Sequence, residues 1–316
     1  MQSFDSHYKT IATDILTKGI PQVIQMQQGP TNIVALFNAS YTFPGHLVPL
    51  LSLRKVHLKT LIRELRWILS GSHNVCDLGS SRHIWEPWAD EDGNLPSSYG
   101  RMLRAFPGYA KNAAYSGEAV DSHLHVDQVA QLINSLKSDY PSRRLQLTLN
   151  HPANFFASGL PPCMSGLSLN WFHSKQTPGF RHVVANIKFR SSDFGVGFVF
   201  DILQWYLFVQ LLLQTVNQSQ PEGEQYRLSA YSFTSDNLHI YEEHYQPLEE
   251  VLKRSSKPPT HWAPDLVNFD ASNQHTFGLH PETRWLGLHP TSTIDGFELI
   301  QGIYDPHPHI HLPLIV

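Results

Sequence analysis

Cysteine is nearly absent: 316 residues carry only Cys76 and Cys163. Two thiols leave nothing for a disulfide framework, and the first twenty residues lack a basic segment followed by an apolar core. A reducing, cytoplasmic setting is therefore expected. A basic surplus is missing too. The net charge of −4 excludes a sequence-independent grip on nucleic acid through bulk positive charge. No repeat, low-complexity tract or Pro/Ser linker separates two cores, and the 41% hydrophobic content suffices for one large core, so one domain over residues 1–316 is expected. An unbroken apolar run is also lacking. Phe194 to Leu213 approaches span length, but Gly195 and Gly197 break its start, and Asp201, Gln204 and Gln210 interrupt the rest. Asp201 alone would cost roughly 2.5–3.5 kcal/mol in a bilayer. The pattern predicts a loop to about Phe200, then a helix apolar on nearly every side and buried in the domain centre.

What is present alternates helical and strand-like stretches without regular βαβ order. "HYKTIATDILTKG" reads as an amphipathic helix stopped by Gly19. "LKTLIRELRWILSG" places Leu58, Leu61, Ile62, Leu65, Ile68 and Leu69 at helical spacing and ends at Gly71. "DSHLHVDQVAQLINSLKSDYPSRR" reads as a helix stopped near Pro141, and "EEHYQPLEEVLKRS" as a short one. "NIVALFNASYTF", "LQLTLNH", "GLSLNWFHS", "VVANIKFR" and "YRLSAYSFTSDNLHIY" have strand character. This order favours an α+β sheet protein over a doubly wound one.

Several residues could carry chemistry. Cys163 follows two prolines in "GLPPCMSG", which preset the backbone and suit a thiol held at a fixed angle; a buried structural cysteine fits the same residues. "SRR" (Ser142 to Arg144) and "RSS" (Arg190 to Ser192) offer guanidinium and hydroxyl donors to a dianion, though arginine pairs are mostly solvated surface. Trp85, Trp88 and Tyr99 crowd a polar loop, as either a ligand wall or a satellite hydrophobic cluster. His307, His309 and His311 alternate along "YDPHPHIHLPLIV", but such spacing holds a metal only with help from other elements, and no metal is expected.

The segments "HLKTLIRELRWILSGSHN", "HIWEPWADEDGNLPSSYG", "YPSRR", "LPPC", "RSSDFGVGFVFDI", "DNLHIY" and "YDPHPHI", in this order, resemble the thymidylate synthase family over nearly the whole chain. The resemblance implies a homodimeric α+β fold with a mixed sheet, a long buried central helix and dimerisation through the sheet. It implies transfer of a one-carbon unit from 5,10-methylenetetrahydrofolate to a pyrimidine nucleoside monophosphate, with no membrane or nucleic-acid partner. Carried over by residue, Cys163 matches the nucleophile that adds to C6 of the ring. Arg190 and Ser191 match phosphate ligands, and Arg143 and Arg144 those reaching the phosphate from the partner subunit. His239 and Tyr241 match the sugar contacts. Glu64 and Tyr99 match groups serving proton removal at C5. Trp85, Trp88, Asp193, Gly197, Phe200 and the C-terminal Val316 match the folate surroundings.

The departures bear on specificity. Gln27 stands near the place of an early phosphate arginine, Phe189 where a glutamine is usual, and Met164 where a histidine is usual. Asp201 stands where an asparagine reads uracil. Uracil shows an acceptor at position 4 and a donor at N3; cytosine shows the reverse. A carboxyl group meets cytosine when a proton lies between it and N3. Protonation at N3 would also draw electrons from C6, and an apolar site would raise the proton affinity of Asp201. An aspartate placed only for the helix dipole is the bland alternative. With Asp201 the pattern resembles the branch that hydroxymethylates cytidylate or deoxycytidylate in phage or bacterial cytoplasm. Cytidylate methylation, thymidylate synthesis and a non-catalytic nucleotide- or RNA-binding relative remain the alternatives.

Overall fold

The computed structural model describes residues 3–107, 125–137, 141–152, 160–257 and 304–315. Chain order runs α1 (Phe4–Lys18), β1 (Ile20–Met26), β2 (Gly29–Pro44) and α2 (Leu58–Ser70), then 3-10 turns at Val75–Ile84 and Glu86–Trp88. Next come α3 (Tyr99–Arg104), β3 (Phe106–Pro107), β4 (His125–Val126), α4 (Gln128–Lys137), β5 (Gln146–Thr148) and β6 (Met164–His173). The series ends with β7 (Arg181–Phe189), β8 (Ser192–Asp193), α5 (Gly197–Asn217), β9 (Tyr226–Tyr241), a 3-10 turn and α6 (Tyr245–Lys253). The main sheet is mixed, in the order β1-β2-β9-β7-β6-β5, with β8 added beside β9. β9 runs parallel to β7 and β8, and the other pairings are antiparallel. This is the expected α+β architecture.

Helix α2 keeps the boundaries its periodicity predicts, because Gly71 adopts φ 79°, the left-handed conformation a helix C-cap favours. Helix α4 is shorter than expected. Asp127 accepts the Ala130 N–H at 2.9 Å and so starts the helix, while His125–Val126 leaves it to pair with Phe106–Pro107. Residues 121–124 and 138–140 of the expected helix lie outside the described residues.

Helix α5 corrects the expectation of a loop to Phe200. It begins at Gly197, directly after a turn in which the Asp193 carboxylate accepts the N–H groups of Gly195 (2.8 Å) and Val196 (3.1 Å). Asp201 therefore sits in the second turn. The dipole's pull fades within the first turn, so dipole stabilisation alone does not account for this carboxylate. The helix is long and apolar enough to cross a membrane, yet 78% of that stretch is buried inside the fold, against the sheet and α2.

The core links this helix to the N-terminal helix through aromatic rings. Phe198 is fully buried, with centroids 4.9 Å from Phe233, 5.1 Å from Phe194 and 6.4 Å from Tyr8. Phe198→Ala should cost about 3–5 kcal/mol, read as a lower denaturant midpoint at unchanged slope.

Residues 304–315 form no helix or strand but are tied down along their length. Tyr304 donates to Leu51 O (2.8 Å) and accepts the Val56 N–H (2.9 Å), the His307 N–H donates to Ser52 O (2.8 Å), and Leu312 is buried. His309 stands edge-on to His57 at 4.7 Å. Among the described residues no three His, Cys, Asp or Glu side chains gather as a metal site.

Candidate active site

Antiparallel register builds the centre of the site. β6 and β7 pair Met164 with Phe189, so the residues just outside each strand, Cys163 and Arg190, face one another. The Arg190 N–H donates to Cys163 O at 2.8 Å. The Arg190 guanidinium donates to Pro161 O (2.8 Å) and Pro162 O (3.0 Å), and its Nη2 lies 3.8 Å from Cys163 Sγ. The two prolines thus hold the thiol and turn their carbonyls toward a cation that stays beside the sulfur. A bulge next to Met164 twists the strand end where the thiol sits. Burial pushes the Cys163 thiol up to about 11; Arg190 pulls it down, and the charges of Asp201 and Asp193 push it up again.

A second wall comes from α2, α3 and the tryptophan turn. Tyr99 OH accepts the backbone N–H groups of Cys163 (3.2 Å) and Met164 (3.4 Å). Its ring meets Trp85 and Trp205 edge-on at 5.9 and 5.8 Å, and Trp85 packs on Trp88 at 5.9 Å. Trp85 Nε1 donates to Glu64 Oε1 at 2.6 Å. Desolvation raises the Glu64 carboxyl to about 7, against the opposing pull of that bond. Burial also lifts Tyr99 well above the phenol range, followed by the charges of Cys163, Asp201 and Glu64, so the phenol keeps its proton. A small half-open cleft lies here, between Trp67, Trp85, Leu95, Ser97, Ser98, Tyr99, Leu160 and Pro162.

Asp201 faces this wall from α5. Its carboxyl is held well above the carboxylate range by desolvation, then by the charges of Glu64 and Asp193. No hydrogen bond to it forms among the described residues, and Gly197 keeps the space beside it open: a Cβ there would stand 3.5 Å from Asp201 Oδ2.

The third wall follows from the parallel pairing of β8 with β9, which sets Asp193 beside His239. His239 is 5% exposed; its Nδ1 contacts Asn237 Oδ1 at 2.9 Å, and its Nε2 is buried with no partner among the described residues. Desolvation lowers its proton affinity, so the ring presents itself neutral. Tyr241 stands edge-on to it at 4.9 Å. Phe200 is partly buried against the core, and Ser191 follows Arg190, half-buried.

The structure does not bring every expected residue to this place. Arg143 and Arg144 lie exposed in the turn before β5, and Gln27 is exposed in the turn between β1 and β2. Val316 lies outside the described residues. Phe189 and Met164, where the resemblance expects polar groups, are buried; Phe189 stacks on Phe233 at 4.8 Å. Two residues escaped the sequence reading. Arg54 is buried and donates to Gly195 O, and His244 is fully buried beside Asp193. Neither stands in a motif whose spacing announces it.

The sequence model described as thymidylate synthase matches residues 6–316. The chain belongs to the thymidylate synthase family. Family relatives include the thymidylate synthase of Bacillus phage phi3T, 28% identical over 85% of this chain and 91% of its own. Thymidylate synthase 1 of Bacillus subtilis (strain 168) is 29% identical over the same shares. The solved thermostable thymidylate synthase A from Bacillus subtilis superposes with a TM-score of 0.64 at 27% identity, covering 82% of this chain and 87% of that one. The chain is accordingly an enzyme of the one-carbon-transferring class.

Proposed function

We propose that the protein hydroxymethylates C5 of cytidylate or deoxycytidylate, using methylenetetrahydrofolate, as one catalytic unit over residues 1–316. One observation carries the reading: the Asp201 carboxyl, raised by desolvation and without a hydrogen-bond partner among the described residues, lies on the wall facing Cys163. Its O–H can donate to cytosine N3 while its C=O accepts from the exocyclic amine. Cys163, as thiolate, bonds to C6 and places the electron pair at C5. Arg190 and Ser191 hold the phosphate, joined by Arg143 and Arg144 of a second copy, and His239 and Tyr241 hold the sugar. Exposed Ile20, Val23, Phe37 and Phe172 on the sheet strands support dimerisation through that sheet.

Trp67, Trp85 and Tyr99 offer aromatic faces on which a flat pterin can stack, and the Asp193 carboxylate is an acceptor for its edge. Trp88, Gly197, Phe200 and Val316 complete the folate surroundings in this proposal. Methylenetetrahydrofolate supplies one carbon at the oxidation level of formaldehyde. In the balanced reaction, C5–H becomes C5–CH2OH, the oxygen comes from water, and tetrahydrofolate leaves. Ser97 and Ser98 line the half-open space and support access of that water. Absence of dihydrofolate, followed by absorbance, tests the product; its formation would indicate methylation.

A second reading, methylation of deoxyuridylate, draws support from the relatives, which are named thymidylate synthases. A neutral carboxyl also offers one donor and one acceptor, as an amide does, so Asp201 does not by itself bar uracil.

Glu64 with Tyr99 removes the C5 proton in either reading. Glu64 accepts a proton only when ionised, so kcat should rise with pH through about 7. Glu64→Gln should lower kcat by roughly 10²–10⁴-fold and abolish that limb in a pH–rate profile.

A further inference from the structure

His244 is fully buried, and each ring nitrogen faces an acceptor. Nε2 lies 2.8 Å from Pro313 O in the C-terminal segment. Nδ1 lies 3.3 Å from Asp193 Oδ1, an ion-pair contact too poorly aligned for a hydrogen bond. A neutral imidazole carries one N–H and one lone pair, so one of these contacts would become repulsive. Two protons satisfy both. The chain makes room for the ring in this place: a Cβ on Gly195 would stand 2.2 Å from His244 Nδ1. That glycine's carbonyl is taken by the buried Arg54, and its N–H by Asp193.

We propose that His244 is a positioning residue which, as an imidazolium, fastens residues 304–315 to Asp193 and thereby couples the tail to the candidate folate wall. The inference deepens the proposed function, since the value of the coupling rests on Asp193 and the tail meeting the folate. The groups facing the ring are Asp193 from β8, His239 and Tyr241 from β9, Glu243 from the adjoining turn and Pro313 from the tail. Burial disfavours the charged ring, but Asp193, the Pro313 carbonyl and Glu243 outweigh it and raise the proton affinity above the usual imidazole range. The sign follows. A histidine whose affinity rises on folding stabilises the fastened state fully below its unfolded range, and this contribution fades as pH climbs through the elevated value.

Hydrogen-exchange mass spectrometry on the full chain tests this without nucleotide or folate, so failure of the proposed reaction leaves the result intact. Between about pH 6 and pH 9, corrected for intrinsic exchange, the peptide over residues 304–315 should lose protection at least roughly tenfold, while the α2 peptide stays constant. His244→Gln retains one donor toward Pro313 but cannot charge; its tail should be less protected at low pH and flat with pH. Tail protection that is constant with pH in the unaltered protein would overturn the inference, and that arm needs no variant. So would a His244→Gln protein that keeps the wild-type curve.

Discussion

Replacing Asp201 by asparagine should move preference from cytidylate to uridylate. An amide cannot protonate N3 of cytosine, and when held with its N–H toward position 4 and its C=O toward N3, as uracil requires, it meets the exocyclic amine and the bare N3 with like groups. Two buried polar groups left mismatched cost about 1–3 kcal/mol each. The ratio of kcat/KM values for the two bases should therefore shift by roughly 30- to 10⁴-fold, at 1.4 kcal/mol per decade. Fold stability should change little or improve, because the substitution removes a desolvated acid pressed by the charges of Glu64 and Asp193. Unchanged cytidylate selectivity would refute the role given to Asp201.

The second large effect belongs to the thiol. Cys163→Ala removes the sulfur that lies 3.8 Å from Arg190 Nη2, and turnover should fall by at least ~10⁴-fold, since the proposed C6 bond is made by that sulfur. Release of tritium from C5 of the nucleotide should stop with it, because C5 becomes acidic only after addition at C6. Nucleotide binding should survive, as Arg190, His239 and Tyr241 remain. Continued tritium release from the variant would place the nucleophile elsewhere. Tight binding by the unaltered protein without any release would favour a non-catalytic relative.

Local pattern made part of this readable. Helix α2 and its glycine cap, the core helix and the long strand β9 follow from periodicity, because each buries one face or all faces within a contiguous segment. The start of α5 was not legible, since the turn before it is held by the Asp193 carboxylate, whose placement depends on β8 pairing with β9. The meeting of Cys163 with Arg190 depends likewise on strand register, a non-local property. The resemblance named these two residues without giving their geometry. His244 looks unremarkable in "HIYEEH"; its partners come from a two-residue strand and from a carbonyl 69 positions away. Arg143 and Arg144 remain exposed in the single chain, where the proposed site needs a second copy to employ them.

Turnover with CMP, dCMP, UMP and dUMP, each with methylenetetrahydrofolate and with product masses determined, tests the central claim most directly. A cytidylate should be consumed and gain the mass of one CH2O unit, with tetrahydrofolate as the released folate and the uridylates left nearly untouched. Consumption of dUMP with formation of dihydrofolate, the cytidylates remaining unchanged, would contradict it.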